Sequence, residues 1–293
     1  IEENKYQYIL AVSSSTTSFM DLKIAKQAGA KICSIRSSNS NLNMPFKKKI
    51  IQNILRVFYN KYADNLISPS DLAAICMFGD DFKKDNRFHY LNNSVNFDEY
   101  AFTIEKRKKI RKEFLFSDDE LVIGHIGRFY KQKNHLYLIN IFNEIVKRRP
   151  KSKLLLVGSG ELENGVRKYV NDLGINEQVI FAGTRSDVNN ILSGMDIFVF
   201  PSLYEGMPNT VIEAEASGLP CILSDTITKQ VNLTNNVYFK SLNDSPENWA
   251  NIILNVSENN FTRDTKDVFK KNKYDIQSCL KQFTELVFGD KND

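Results

Sequence analysis

"LVIGHIGRFYKQKN", residues 121–134, begins as an unbroken apolar run and ends on a glycine followed by cations. A short run of this kind, closed by Gly127 where the chain can turn tightly, predicts a strand buried on both faces. The same pattern recurs downstream as "KLLLVG" (153–158), "QVIFAG" (178–183), "DIFVFPS" (196–202), "PCILS" (220–224) and "NVYFK" (236–240). Most of these runs are separated by stretches with a period near 3.6. In "HLYLINIFNEIVKRR" the residues Leu136, Ile139, Phe142 and Ile145 share one face, and basic residues gather near the C-terminus. Strands that alternate with helices predict a parallel sheet covered on both sides, with ligands at the carboxyl ends of the strands.

Upstream the alternation is weaker. "YILAVS", a helix around 21–29, "KICSIRS", a long basic helix around 46–63, "NLIS", a short helix and "FHYLNN" predict about four strands. The fold class is therefore α/β, with two doubly wound parallel-sheet domains, the N-terminal one incomplete. The expected division is 1–100 for the acceptor-side domain and 101–273 for the ligand-binding domain. A C-terminal helix in 274–293 is expected to pack back on the first domain. "NNSVNFDEYAF" running into "EKRKKIRKEF" reads as the crossover. The opening "IEENKYQYILAV" is neither a signal peptide nor a start methionine, so the chain is expected to be a piece of a longer protein.

Composition narrows the class. A formal charge of +4 on 293 residues is far from a nucleic-acid-binding extreme and suits an anionic small ligand or membrane surface. Cys33, Cys76, Cys221 and Cys279 form no C-x-x-C pair, which fits a reducing cytoplasm and suggests neither zinc nor a disulfide framework. No apolar run approaches the roughly 20 residues that span a bilayer.

Three stretches close strands at the same edge of the second sheet. "GRFYKQKN" offers Gly127, Arg128 and Lys133; a forked and a point cation can meet on one diphosphate, or be two loop cations. "GSGELENGVRKYV" places Gly158 and Gly160 at a turn, as a backbone approach to a ligand or as a plain tight turn. In "YEGMPNTVIEAEASGLP" (204–220) Pro208 suits the first turn of a helix, and Asn209 or Thr210 can cap it. Free N–H groups there make an anion site. Glu205 precedes the helix and Glu213 lies one turn in. Carboxylates accept well from vicinal hydroxyls, so the spacing suits a sugar–diphosphate–ribose ligand.

Together these stretches resemble the retaining glycosyltransferases of the GT-B fold, family 4, over most of 85–257. "NNSVNFDEYAF", "GRFYKQKN", "LLLVGSGELE", "VIFAGTRSDV", "MDIFVFPS" and "EGMPNTVIEAEASGLP" carry the resemblance, which is nearest to members that build capsular and exopolysaccharides. The resemblance implies two Rossmann-like domains and transfer of a sugar with retention, without a metal or a cofactor. The donor would be a nucleotide-sugar, UDP-linked on family grounds, and the acceptor a glycan or a lipid-linked glycan. Arg128 and Lys133 would bind the donor diphosphate beside Gly127 and Gly158. Glu205 would meet the sugar hydroxyls, and Gly206, Met207, Asn209 and Thr210 would help hold phosphate. Glu213 would bind the ribose, and Thr184 and Arg185 would lie beside the base.

Departures accompany the likeness. Residues 1–95 supply no Gly-rich loop. Arg36 and Ser38 stand where close relatives carry histidines, and a Glu near "ITKQV" and a Gly near "TNNVYF" are absent. A non-catalytic nucleotide-binding partner of another glycosyltransferase is the alternative reading. "GDD" (79–81) reads as a solvated loop. The helix "FKKKIIQNILRVFYNKYADN", with Ile50, Ile51, Ile54, Leu55 and Phe58 toward one side and Lys47, Lys48, Lys49, Arg56 and Lys61 around them, reads as an ordinary domain helix with a solvated basic face, or as a cytoplasmic, peripheral element that rests on an anionic membrane.

Overall fold

A computed structural model describes residues 3–37, 46–259 and 261–288. The chain divides into two compact units, Ile1–Ser94 with Tyr204–Met207 and Lys273–Asp293, and Val95–Leu203 with Pro208–Asn272. The first break falls a few residues before position 100, and the four residues around Glu205 go with the first unit.

In the first unit β1 (Tyr8–Ser13), β2 (Ile32–Ser37), β3 (Asn65–Ser68) and β4 (Phe88–Tyr90) form a parallel sheet in sequence order. The helices α1 (Phe19–Gln27), α2 (Phe46–Tyr62) and α3 (Asp71–Phe78) connect them. Leu22, Ala25, Cys33, Ile35, Tyr59, Leu66 and Met77 close its core.

α2 turns most of its apolar side outward. Its buried side carries Gln52 and Tyr59, while Ile50, Ile51, Ile54, Val57 and Phe58 are exposed. Arg56 is turned inward: its Nη2 donates to the carbonyls of Ile75 and Cys76, both at 2.9 Å. Those carbonyls lie in the last turn of α3, where Ile75 also accepts from the Gly79 N–H at 3.0 Å and Cys76 from Gln52 Nε2 at 2.6 Å. Arg56 therefore caps a neighbouring helix and is no part of a solvated basic face. The side chains of Lys47, Lys48 and Lys49, and Ser38, lie outside the described residues.

The second unit begins with the short helix α4 (Phe97–Tyr100) and α5 (Ile104–Glu113). Its strands are β5 (Leu121–Ile126), β6 (Ser152–Val157), β7 (Val179–Gly183), β8 (Ile197–Phe200), β9 (Cys221–Ser224) and β10 (Val237–Lys240). They form a parallel sheet in the order β7-β6-β5-β8-β9-β10. The order reverses between β5 and β8, which defines a crevice at their carboxyl ends. The helices are α6 (His135–Arg148), α7 (Glu163–Asp172), α8 (Val188–Gly194), α9 (Asn209–Ala216), α10 (Pro246–Ser257) and α11 (Lys266–Lys271). Every residue of β5, β8 and β9 is buried, as a sheet covered on both faces requires. On α6 the buried face holds Leu138, Ile139, Ile141, Phe142 and Ile145, while Leu136 is left exposed.

α12 (Ile276–Phe288) belongs to the first unit. Asn65 Nδ2 donates to the Leu286 carbonyl at 2.9 Å, and Gln282 Nε2 to that of Tyr90 at 2.6 Å.

Glu215 on α9 is wholly buried. Its Oε2 accepts from the Leu233 and Thr234 amides at 3.0 and 2.9 Å and from the Thr234 hydroxyl at 2.8 Å, while Oε1 has no partner. It thereby anchors the loop before β10, where Asn235 takes a left-handed φ of 60°. Burial pushes the carboxyl up to about 7. An acid whose folded pKa lies above its unfolded value binds its proton more tightly when folded. Its contribution is therefore full below the unfolded value and is lost as pH rises toward the folded one. Glu215→Gln should remove a loss of about 3 kcal/mol between about pH 4.5 and 7. Denaturant titrations of both proteins across that range check this, and parallel pH profiles would refute it.

Candidate functional site

The crevice between β5 and β8 is lined by the loops that follow them. Gly127 donates its N–H to Val157 at 2.9 Å, and the chain then rises through Arg128 into a one-turn helix, Lys131–Lys133. Asn134, at φ 58°, turns it into α6. This path folds Lys133 back over the strand end. A Cβ added to Gly127 would lie 3.1 Å from Cγ, Cδ and Cε of Lys133, and the Lys133 ammonium sits 4.4 Å from the Phe200 ring centroid at the end of β8. Arg128 is exposed, with its guanidinium 4.8 Å from the Tyr130 ring centroid, and no carboxylate pairs with it among the described residues. Of the two cations expected to meet a diphosphate, one is laid along the crevice and one faces solvent.

Gly158 and Gly160 have a role that the sequence left open. At Gly158, φ is +135° and an added Cβ would come 2.2 Å from the Gly127 carbonyl oxygen. At Gly160 it would meet the Phe129 backbone at 2.8 Å. Phe129 N–H donates to Ser159, and Leu162 N–H to Phe129, both at 3.0 Å. The space opened by these two glycines is filled by the chain's own backbone, which locks the Arg128 loop in place.

Beneath Lys133 lie two of the chain's three histidines. His125 in β5 and His135 at the start of α6 are buried edge to face, with ring centroids 4.8 Å apart. His135 stacks on Phe129 at 4.1 Å, and His125 on Phe200 at 5.3 Å. His125 Nδ1 meets the Val199 carbonyl at 2.9 Å, while its Nε2 and both nitrogens of His135 have no partner. Burial drives both pKa values down, with Lys133 adding to the effect; His135 falls to about 4 and His125 well below its usual range. The floor of the crevice is therefore neutral and aromatic. The motif reading missed this pair, although their place in a histidine-poor chain was a signal.

Past β7, the Thr184 hydroxyl lies 2.9 Å from that of Ser159. Arg185 is already engaged: Nε and Nη2 meet Asp187 at 2.8 and 2.9 Å, and Nη1 meets Glu113 at 2.6 Å. Those carboxylates raise its pKa further, and the guanidinium is held as a fork between them. What Arg185 leaves for a ligand is its stem and backbone.

At α9 the expected cap is replaced. Pro208 occupies the capping position in an extended conformation, so Asn209 and Thr210 fall inside the first turn. Proline has no side-chain acceptor, and no side-chain bond closes this end. The Thr210 hydroxyl is buried without a partner. Glu213 is half-buried; burial raises its pKa, and Tyr100 opposes part of that rise. In the first unit Glu205 is buried, and its neighbours are held from the sheet: Ser70 Oγ donates to the Gly206 carbonyl at 2.6 Å and Asn93 Nδ2 to that of Met207 at 3.0 Å. Neither Ser70 nor Asn93 stood out in sequence.

Among the described residues no group of three or more His, Cys, Asp or Glu is placed to hold a metal ion. At "GDD", Gly79 ends α3 and Asp81 pairs with Lys84 at the surface. No helix among the described residues is long and apolar enough to cross a membrane.

The two parallel sheets, with a crevice at the order reversal of the second, define a GT-B α/β protein. Residues 106–275 match the family described as Glycosyl transferases group 1, and the chain belongs to that family. It is 29% identical over 231 residues to the Escherichia coli UDP-Gal:alpha-D-GlcNAc-diphosphoundecaprenol alpha-1,3-galactosyltransferase, covering 77% of this chain and 59% of that one. It is 31% identical over 169 residues to the capsular polysaccharide biosynthesis glycosyltransferase CapM of Staphylococcus aureus, covering 56% and 44%. The chain thus spans only part of the length of these relatives. In fold it is similar to Anabaena HepE, solved in complex with UDP, at a TM-score of 0.79 and 15% identity over 97% of this chain and 79% of that one.

Gly158→Ala should be costly, because the left-handed φ and the backbone contact add. The expected loss is about 3 kcal/mol in chemical denaturation. Wild-type stability in this variant would show that the two loops can separate freely.

Proposed function

We propose that the chain transfers a sugar from a nucleotide diphosphate donor, a UDP-sugar, to a glycan or lipid-linked acceptor during assembly of cell-surface polysaccharide. Retention at the anomeric carbon and independence of metal are part of the proposal. The observation that carries it is Lys133 laid across Gly127 in the β5–β8 crevice beside the outward-facing Arg128. As the bond between the anomeric carbon and the phosphate oxygen breaks, negative charge grows on the departing diphosphate. Two fixed cations and the open start of α9, with the unpartnered Thr210 hydroxyl, are suited to that charge without a metal ion.

The remaining roles follow the family motif. Glu205 would accept from hydroxyls of the donor sugar. Gly206, Met207, Asn209 and Thr210 would surround phosphate, and Glu213 would accept from the ribose. Gly158 and Thr184 would border the nucleotide, with Arg185 contributing its stem. The printed names of the relatives support the substrate class: one is a UDP-galactose enzyme acting on a lipid-linked diphosphate, and another serves capsule synthesis.

Titration with UDP, GDP and ADP should show heat for UDP, lost in Arg128→Ala. Lys133→Ala and Glu205→Ala should each lower the transfer rate from the UDP-sugar by about 10²–10³-fold, the effect of about 2–4 kcal/mol of transition-state stabilisation. Unchanged turnover in either variant would overturn the assignment.

An anionic lipid surface on the cytoplasmic side is the proposed working place. α2 exposes Ile50, Ile51, Ile54, Val57 and Phe58, and the sequence flanks them with Lys47, Lys48, Lys49 and Lys61. The chain should sediment with phosphatidylglycerol vesicles, and the double substitution Ile54→Asp and Val57→Asp should release it. Equal sedimentation of both proteins would exclude this face.

A further inference from the structure

Glu205 is buried, and the next two carbonyls along the chain, those of Gly206 and Met207, are each gripped by a side chain of the same unit. Ser70 holds the first. Its hydroxyl gives its one proton to the Gly206 carbonyl at 2.6 Å and accepts from the Ala73 N–H at 3.3 Å, which caps α3. Behind it the Ser37 hydroxyl donates to that of Ser68, and Ser68 donates to the Ser70 carbonyl, both at 2.8 Å. All three serines are fully buried, out of reach of bulk water.

Asn93 holds the second carbonyl, and Arg36 decides which way its amide faces. Asn93 Nδ2 donates to the Met207 carbonyl at 3.0 Å, while Oδ1 accepts from Arg36 Nη2 at 2.5 Å. A guanidinium can only donate, so it admits only the amide oxygen on its side. A flipped amide would set two donors against each other at Arg36 and two oxygens against each other at Met207. Arg36 Nη2 also reaches the Leu91 carbonyl at 3.3 Å, and the Leu91 N–H donates to the Ser68 carbonyl at 3.1 Å, so the two arms of the brace are joined.

We propose that Asn93, oriented by Arg36, is a positioning residue for the Glu205 carboxylate, with Ser70 bracing the neighbouring peptide. A carboxylate on a short loop is aimed by its backbone as well as by its own torsions. Two fixed carbonyls directly after Glu205 hold that backbone before a ligand arrives, so the ordering cost is met in folding and not in binding. This rests on the reading of Glu205 as the acceptor for hydroxyls of the donor sugar. The brace therefore serves the sugar portion of the donor more than the nucleotide.

The test is calorimetric titration of the wild type, Asn93→Asp, Asn93→Ala, Glu205→Ala and the double variant Asn93→Ala with Glu205→Ala. The ligands are UDP, UDP-glucose, UDP-galactose and their N-acetylhexosamine counterparts. Asn93→Asp keeps an acceptor for Arg36 and loses only the donor to Met207, and Asn93→Ala removes the same donor without adding charge. Both should weaken the UDP-sugar that the wild type binds by about five- to tenfold, the scale of one hydrogen bond, and weaken UDP by less than about twofold. The double variant should bind the UDP-sugar no worse than Glu205→Ala alone, because Asn93 acts through Glu205. A merely structural asparagine would weaken UDP and UDP-sugar alike, or its effect would add to that of Glu205→Ala, and either result overturns the proposal. An effect confined to Asn93→Asp comes from its charge and overturns it too. If Glu205→Ala weakens the UDP-sugar and neither Asn93 variant does, the role of Asn93 fails while Glu205 keeps its own. If the wild type binds none of these UDP-sugars, or Glu205→Ala binds them as the wild type does, the reading of Glu205 fails and that of Asn93 with it.

Discussion

A Cβ on residue 158 would lie 2.2 Å from the Gly127 carbonyl oxygen, and much of the second unit's crevice depends on that closeness. The loops after β5 and β6 can touch backbone to backbone because residues 158 and 160 carry no Cβ. Their contact fixes Phe129 through bonds to Ser159 and Leu162. Phe129 in turn stacks on His135, and the turn between them lays Lys133 over Gly127. The contact therefore sets where this cation sits above the strand end. Here the glycines serve the protein's own packing first, and through it the site.

The electrostatics of the crevice follow from burial. His125 and His135 are kept neutral by desolvation, so the layer under Lys133 adds aromatic surface without adding charge. The carboxylates near the crevice are divided by their surroundings. Asp187 and Glu113 are consumed in holding Arg185, while Glu213 is half-buried and the pKa of its carboxyl is raised by that burial. Glu215, two residues along α9, is spent entirely on the loop before β10. Adjacent acids on one short helix thus have opposite uses, set by which side of the helix faces the core.

Most of the second sheet was legible in the sequence, because strands buried on both faces must be continuous apolar runs and each ends at a glycine or a polar turn. The first sheet's strands were legible for the same reason. That a helix would begin just after Pro208 and carry Glu213 was legible in the residues at its start. Less legible was α2, where apolar residues signal burial by pattern alone. The structure leaves Ile51, Ile54 and Val57 outside and buries Gln52, whose amide binds the Cys76 carbonyl at 2.6 Å. Pairings between distant positions were also hidden: Arg56 with the end of α3, Arg185 with Glu113, and Asn93 with Met207.

The sequence by itself determined two parallel α/β sheets, the order of their strands along the chain, and the types of residue placed at the carboxyl edge of the second. These are local matters of periodicity, glycine freedom and helix geometry. Tertiary structure decided which of those residues remain available: Arg185 held by two carboxylates, Arg128 facing solvent, Glu213 half-buried, and the four residues around Glu205 joined to the first unit. The reason is that a side chain's hydrogen-bond capacity is spent on whatever partner folding brings within reach, and those partners lie far away in the sequence.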